Sequence, residues 1–147
     1  MSDIPSRKFR GGGVCRSIRY EVDGPPVIVA HCHCENCRRG SGAGHSTGAM
    51  FSSSTLQIIG TATEYVLKSE NGNAVTRIFC PVCGSQILGR NSAMDGFVTI
   101  GLGTLDDSDG LTPQVAIFAR NRKSWDLADP QVTYFEAQPG WKPADGA

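Results

Sequence analysis

The sequence predicts an all-β domain, and three observations support this fold class. Short apolar segments recur along the chain with turn-forming residues between them, as in domains built from many short strands. The 147 residues include 18 glycines and 8 prolines, which favour turns over long helices. Apolar residues at helical spacing predict no helix beyond a single turn at residues 124–127.

The predicted strands follow one another from residue 17 onwards. Residues 17–22 (SIRYEV) alternate polar and apolar side chains, the pattern of a strand with one buried face. A turn at residues 23–26 separates them from residues 27–30 (VIVA), an apolar run typical of a buried strand. Further strands are predicted at residues 45–51, 56–59, 63–67, 75–79, 86–88, 97–102 and 115–119.

The chain length predicts a single folded domain, which we place at residues 9–136. Residues 1–8 and 137–147 are expected to be flexible tails, since the latter segment is rich in proline, glycine and alanine.

The charge balance excludes two classes of partner. Lysine and arginine total 14, and aspartate and glutamate also total 14, so the formal net charge is zero. A protein that binds nucleic acid through its phosphates, or an anionic membrane surface, normally carries a basic excess. The N-terminal residues lack the apolar stretch of a signal peptide, and we expect a cytoplasmic protein without a membrane partner.

The six cysteines are the main candidates for chemistry. Cys32, Cys34 and Cys37 lie within six positions, close enough for all three thiols to bind one metal ion. Cys80 and Cys83 have the C-x-x-C spacing of a metal-binding turn between two strands, and Gly84 lets the backbone curl under the metal. Cytosolic thiols stay reduced, so metal binding is favoured over disulfides, although an even count keeps a disulfide framework open.

Spacing alone leaves two ways to group the thiols. Cys34 and Cys37 could join Cys80 and Cys83 in one structural four-cysteine zinc site. Alternatively, Cys32, Cys34 and Cys37 form one centre while Cys15, Cys80 and Cys83 form another. The second grouping uses every thiol and is slightly favoured.

An ordered series of motifs resembles the glutathione-dependent formaldehyde-activating enzyme family, which includes centromere protein V. The motifs cover residues 9–135 and comprise G-x-x-x-C-x-x-x-R-Y at 11–20, HCHCxxCR at 31–38, FCxxCG at 79–84, GxGxLDD at 101–107 and KSW at 123–125. The resemblance implies the β-tent zinc fold. It also implies a catalytic zinc on Cys32, Cys34 and Cys37, and a structural zinc on Cys80, Cys83 and an N-terminal Cys-x-Cys pair. Here that pair is reduced to Cys15, because residue 13 is glycine, so a weakened second site is expected.

The same resemblance implies a carbon–sulfur lyase activity that joins glutathione, or a related thiol, with formaldehyde to give S-hydroxymethylglutathione. Arg38 follows the last cysteine of the first cluster and is expected to offset thiolate charge or bind a substrate carboxylate. His31 and His33 alternate with the cysteines and should point to the opposite side, as supporting hydrogen-bond partners. The alternative is a non-catalytic zinc scaffold or partner-binding module on the same fold.

Overall fold

A computed structural model describes residues 6–69 and 71–138, and it confirms the all-β fold class. Within these residues, a small sheet contains β1 (Lys8–Gly12), β2 (Arg19–Asp23) and β5 (Gln57–Ile59), in the order β1-β2-β5. The expected tails at 1–8 and 137–147 fall largely on residues that lie outside the described ranges.

The large sheet contains the other strands of the described residues. These are β3 (Ile28–Cys32), β4 (Ser46–Ser52), β6 (Thr63–Lys68), β7 (Ala74–Phe79), β8 (Gln86–Asn91), β9 (Phe97–Gly101), β10 (Val115–Ile117) and β11 (Thr133–Tyr134). Their order is β11-β10-β3-β4-β9-β8-β7-β6. The pairing is antiparallel except that β10 runs parallel to β3 and to β11.

The hydrophobic core lies between the two sheets. Alternate side chains of each strand point to opposite faces, so one face of each sheet supplies the core. Phe9 and Tyr20 come from the small sheet, and Phe51, Val98 and Ile100 come from the large sheet; all are buried. The rings of Phe9 and Phe51 pack at a centroid distance of 5.3 Å. The opposite face of the large sheet therefore does not pack against the small sheet.

Strand β1 lies in a segment where no strand was predicted. Glycines at positions 11 and 12 are a turn signal in the sequence, yet Gly11 is buried within the strand. A β-carbon at Gly11 would overlap the Tyr20 side chain and the Thr104 carbonyl, so close backbone approach explains the glycine. Outward-facing Lys8 and Arg10 pair across the small sheet with Asp23 and Glu21, at 3.0 and 2.8 Å.

A short helix, α1 (Glu35–Ser41), also lies where none was predicted. Cys34 caps its N-terminus: the Cys37 N–H donates to Cys34 Sγ at 3.3 Å. Gly42 ends the helix in the left-handed conformation (φ 71°), and its N–H donates to the Arg38 carbonyl. Glu35 and Arg39 form an i,i+4 ion pair at 2.8 Å. By contrast, residues 124–127 form a turn rather than a helix.

No helix in the described part of the chain is both long and apolar enough to span a bilayer.

Candidate metal centres

The structure groups the six cysteines, all of them free, into two separate clusters. In each cluster the sulfur atoms lie within 4.8 Å of one another. Cys32, Cys34 and Cys37 form the first cluster, and Cys15, Cys80 and Cys83 form the second. The pairing of Cys34 and Cys37 with Cys80 and Cys83, which spacing alone left open, does not occur.

The first cluster is assembled by the end of β3 and the start of α1. Cys32 is the last residue of β3 and pairs with Ser46 of β4, while Cys34 and Cys37 belong to the cap and first turn of the helix. The tight turn between strand and helix brings the three thiols together. The capping hydrogen bond also fixes the Cys34 sulfur toward its neighbours.

The thiols of the first cluster favour one negative charge at Cys34. Hydrogen bonds from Cys32 and then Cys37 lower the pKa of Cys34 to about 2, and backbone N–H groups of Cys37 and Asn36 act in the same direction. The pKa of Cys32 is raised, first because its thiol is hydrogen-bonded to Cys34. A thiolate with converging sulfur neighbours is the donor set that zinc binds, so the residues present fit the ion.

A cleft of about 610 Å³ opens over this cluster on the face of the large sheet that is turned away from the core. Its floor consists of small residues, Ala30, Gly48 and Gly101, which neighbour one another in the register of β3, β4 and β9. Ser46, Thr47 and Gly48 at the start of β4 all line the cleft.

Two arginines that were not singled out in the sequence line the cleft. Arg77 of β7 donates through Nη2 to the Asn36 carbonyl of α1, and Arg90 of β8 lies further along the same wall. Arg77 is the one charged residue of β7, and this was the signal in the sequence that could have identified it. Arg38 lies on α1 but is not among the residues that line the cleft, so its predicted role remains a prediction.

The second cluster joins the two sheets. Cys15 follows β1 in the turn that leads to β2, and Cys80 and Cys83 lie in the turn of the β7–β8 hairpin, as predicted. Gly84 adopts φ 78°, which a residue with a side chain rarely tolerates. The sulfurs of Cys15 and Cys80 are 3.6 Å apart, close to the roughly 3.8 Å between two ligands of a tetrahedral zinc with Zn–S bonds of about 2.3 Å.

Ser85 adds to the chemistry of the second cluster. Its hydroxyl lies 3.2 Å from Cys83 Sγ and lowers the pKa of Cys83 to about 6, with backbone N–H groups of Ser85 and Cys15 acting in the same direction. Cys83 is therefore a thiolate near neutral pH, and this cluster also fits zinc.

A third cluster consists of His33, His45 and Asp126 and contains no cysteine, although His33 lies between Cys32 and Cys34 in the chain. The sequence patterns did not predict that these three residues come together. His31 and His33 are absent from the cleft lining that contains Cys32 and Cys34, as the alternation along β3 predicted. His31 Nδ1 lies 2.8 Å from Thr47 Oγ1, and its ring packs 4.1 Å from that of His45.

Solved structures, curated sequences and family models show which known proteins this chain is similar to. A crystal structure of a Rhodobacter sphaeroides protein, solved as a structural-genomics target, is similar with a TM-score of 0.56 and 16% identity. The alignment covers 86% of this chain and 99% of that one, and it supports the fold alone. No curated protein sequence matches the chain. The model of the family described as "Glutathione-dependent formaldehyde-activating enzyme" matches residues 8–121, which span β1 to β10, helix α1 and both cysteine clusters. The chain therefore belongs to the glutathione-dependent formaldehyde-activating enzyme family.

Proposed function

We propose that this protein is a zinc-dependent carbon–sulfur lyase-type enzyme that joins glutathione, or a related thiol, with formaldehyde. The product would be S-hydroxymethylglutathione: a sulfur–carbon bond forms, and the thiol proton ends on the former carbonyl oxygen. The family description suggests the two reactants. The observation that carries the proposal is the convergence of Cys32, Cys34 and Cys37 at one end of an open cleft.

The three thiols of this cluster would hold a catalytic zinc. Zinc bound to three protein ligands supplies an open coordination position that favours the deprotonated form of an incoming thiol. Hydrogen bonds from the Cys32 and Cys37 thiols, and then from the Cys37 N–H, favour the anionic form of Cys34 and keep the three sulfurs together. Cys15, Cys80 and Cys83 would hold a second zinc with a structural role, weakened by the missing cysteine at position 13.

The remainder of the cleft suits a small acidic peptide. Ala30, Gly48 and Gly101 leave room for an extended backbone above the sheet. Arg77 and Arg90 would bind the carboxylates of glutathione, because a guanidinium donates two parallel hydrogen bonds to a carboxylate. The glutathione pool of the cytoplasm, where thiols stay reduced, is the proposed setting.

Substitution of Cys34 tests the catalytic assignment. Cys34→Ser is expected to lower zinc content by one ion per chain and to abolish turnover, because serine replaces the thiolate around which the cluster is organised. Circular dichroism should show the β fold retained. Cys15→Ser is the matched control: it should also lose zinc, yet keep most of the activity. Full zinc content and turnover in Cys34→Ser would contradict the proposal.

Ligand binding separates an enzyme from a non-catalytic zinc module. Glutathione should bind the zinc-loaded protein through sulfur, and S-methylglutathione, which has no ionisable thiol, should bind at least about tenfold more weakly. Calorimetry measures both affinities under the same conditions. Equal affinities would remove the metal–thiolate step and favour the scaffold alternative.

A further inference from the structure

The cluster of His33, His45 and Asp126 has an arrangement that hydrogen bonding within the described residues does not explain. His33 is 2% exposed, and neither of its ring nitrogens makes a hydrogen bond of good geometry within the described residues, although the Gly44 backbone and the Asp126 carboxylate lie close to the ring. Leaving a buried donor or acceptor without a partner costs about 1–3 kcal/mol. A residue retained in this state points to a ligand that the imidazole would bind.

Two further groups face the His33 ring. Asp126 Oδ2 lies 3.3 Å from His33 Nδ1 and 2.6 Å from His45 Nδ1. The Asp126 and His45 side chains are only 13% and 25% exposed. One carboxylate oxygen is thus shared between two imidazole nitrogens, and one ligand atom from each residue lies within 4.8 Å of the others.

We propose that His33, His45 and Asp126 form a third metal site, which takes a divalent first-row transition metal such as zinc. Two imidazoles and one carboxylate suit zinc, cobalt, nickel or ferrous iron, whereas calcium and magnesium prefer sites made of oxygen alone. Zinc bonds of about 2.0–2.1 Å place tetrahedral ligand atoms about 3.3 Å apart, which is the observed distance between His33 and Asp126. Metal binding would replace the shorter His45–Asp126 hydrogen bond with two metal bonds.

The surrounding backbone is arranged around the Asp126 carboxylate. Gly44 provides its space: a β-carbon at this position would overlap Asp126 Oδ2. On the other side of the loop, Arg122 Nη1 donates to the Asp126 carbonyl at 2.7 Å and so holds the loop backbone in place.

The position of this site differs from that of the cysteine clusters. His33 follows β3 and its N–H donates to the Ile117 carbonyl of β10, whereas Asp126 comes from the loop after β10. A metal here would tie that loop to β3 and β4 on the side of the sheet away from the cleft. This site does not depend on whether the cysteine cluster is catalytic.

Cobalt titration tests the proposal in the presence of the cysteine zinc. The 147-residue chain is loaded with zinc and washed with a mild chelator, which removes metal from nitrogen and oxygen ligands before it removes metal from thiolates. Added Co²⁺ should then bind with one equivalent per chain. Its spectrum should show weak visible bands without the intense near-ultraviolet bands of cobalt bound to sulfur.

Asp126→Asn should lower the cobalt affinity at least about tenfold, because the anionic ligand is removed while the shape is kept. The control Asp129→Asn, in the same loop, should bind cobalt like the wild type. Should Asp126→Asn fail to fold, His45→Gln removes a less buried ligand and should show the same loss. The proposal would be overturned if the zinc-loaded wild type bound no cobalt, or bound it only with the intense bands of cobalt–sulfur coordination. It would also be overturned if Asp126→Asn or His45→Gln bound cobalt as tightly as the Asp129→Asn control.

Discussion

Gly13 lies beside the second cysteine cluster, at the position where the family resemblance implies a cysteine. A β-carbon built there would lie 3.3 Å from Cys83 Sγ and 3.4 Å from Ser85 Oγ. The Gly13 backbone lies outside the left-handed region, so an L side chain is compatible with its conformation. Residue 13 therefore lacks a thiol side chain, but its backbone has the position and conformation that a cysteine ligand would need.

Gly13→Cys is expected to complete a four-thiolate site and to slow zinc loss from the second cluster at least about tenfold. Gly13→Ala is the matched control, because alanine introduces the same close contact with Cys83 without adding a thiol. The rate of zinc transfer to a chromogenic chelator measures the difference. Equal rates for the two variants would show that residue 13 cannot reach the ion.

Tyr20 links the stability of the core to alkaline pH. The ring is fully buried, and burial raises the pKa of its hydroxyl to about 12, with the Thr104 hydrogen bond opposing the shift. The folded-state pKa of Tyr20 exceeds the unfolded value of about 10. The neutral hydroxyl therefore contributes fully to the free energy of unfolding below pH 10, and this contribution is lost as pH rises through about 12. Two units correspond to about 3 kcal/mol in the free energy of unfolding.

Tyr20→Phe removes this titration. The variant should lose about 1 kcal/mol at pH 7, because the hydroxyl no longer bonds Thr104 Oγ1 at 2.7 Å. Between pH 10 and pH 12 its free energy of unfolding should fall less steeply than that of the wild type. Urea denaturation at each pH provides the comparison, and parallel curves for the two proteins would contradict the assignment.

At the scale of elements, helix α1 depends on its surroundings for order. A helix of seven residues is too short to be stable alone in water, so its caps and neighbours must hold it. Arg77 of β7 supplies one such contact through the Asn36 carbonyl. Gly40 makes the contact possible, because a β-carbon there would overlap the Arg77 guanidinium.

Arg77→Met should loosen α1 and lower zinc affinity at the first cluster by roughly fivefold, or about 1 kcal/mol, because a half-buried charged hydrogen bond is lost. Arg90→Met is the control, since Arg90 lines the same cleft from β8. Competition with a chelator measures zinc affinity. We expect both variants to weaken glutathione binding, and only Arg77→Met to weaken zinc binding; equal zinc affinities would disprove the role of Arg77 in holding the helix.

The strands that could be predicted are those with a clear apolar pattern and turn residues on both sides. The bounds of β2 to β7, β9 and β10 agree with predicted segments within one or two residues, and β8 extends three residues beyond its predicted end. β1 and α1 could not be predicted from pattern, because Gly11 mimics a turn and the helix is capped by a cysteine that reads as a metal ligand. Gly42 and the Glu35–Arg39 pair were the available helix signals.

Spacing alone predicted the candidate sites where their residues are adjacent in sequence, whereas the grouping of Cys15 with Cys80 and Cys83 was favoured because it uses every thiol and agrees with the family resemblance. Cys32, Cys34 and Cys37 share one turn, so their spacing was enough. Arg77 reaches the cleft through the pairing of distant strands, and Asp126 reaches His33 through a loop that follows β10. Such contacts depend on the tertiary fold, which local sequence patterns do not encode.

At the scale of the whole molecule, the two faces of the large sheet have separate tasks. One face packs against the small sheet to form the core, and the other forms the floor of the cleft beside the first cysteine cluster. The second cysteine cluster lies where the two sheets meet, since Cys15 follows a strand of the small sheet while Cys80 and Cys83 belong to the large one. Metal binding at this position would connect the two layers.

This division predicts that the two clusters affect different properties of the protein. Cys83→Ser should remove one zinc ion and lower the melting temperature by about 5–10 °C. That range corresponds to the loss of about 2.7 kcal/mol from a ligand present at 100 times its dissociation constant, in a chain of this size. Cys34→Ser should also remove one zinc ion but should abolish glutathione binding with a smaller change in melting temperature. Calorimetric melting with and without chelator, together with glutathione titration, measures both properties.

In excess chelator, the wild type and Cys83→Ser should melt at closely similar temperatures, because neither then has metal between its sheets. A wild-type melting temperature that the chelator leaves unchanged would contradict the stabilising role of metal at the second cluster. A Cys83→Ser protein that binds glutathione as poorly as Cys34→Ser would show that the two clusters are not separate in function.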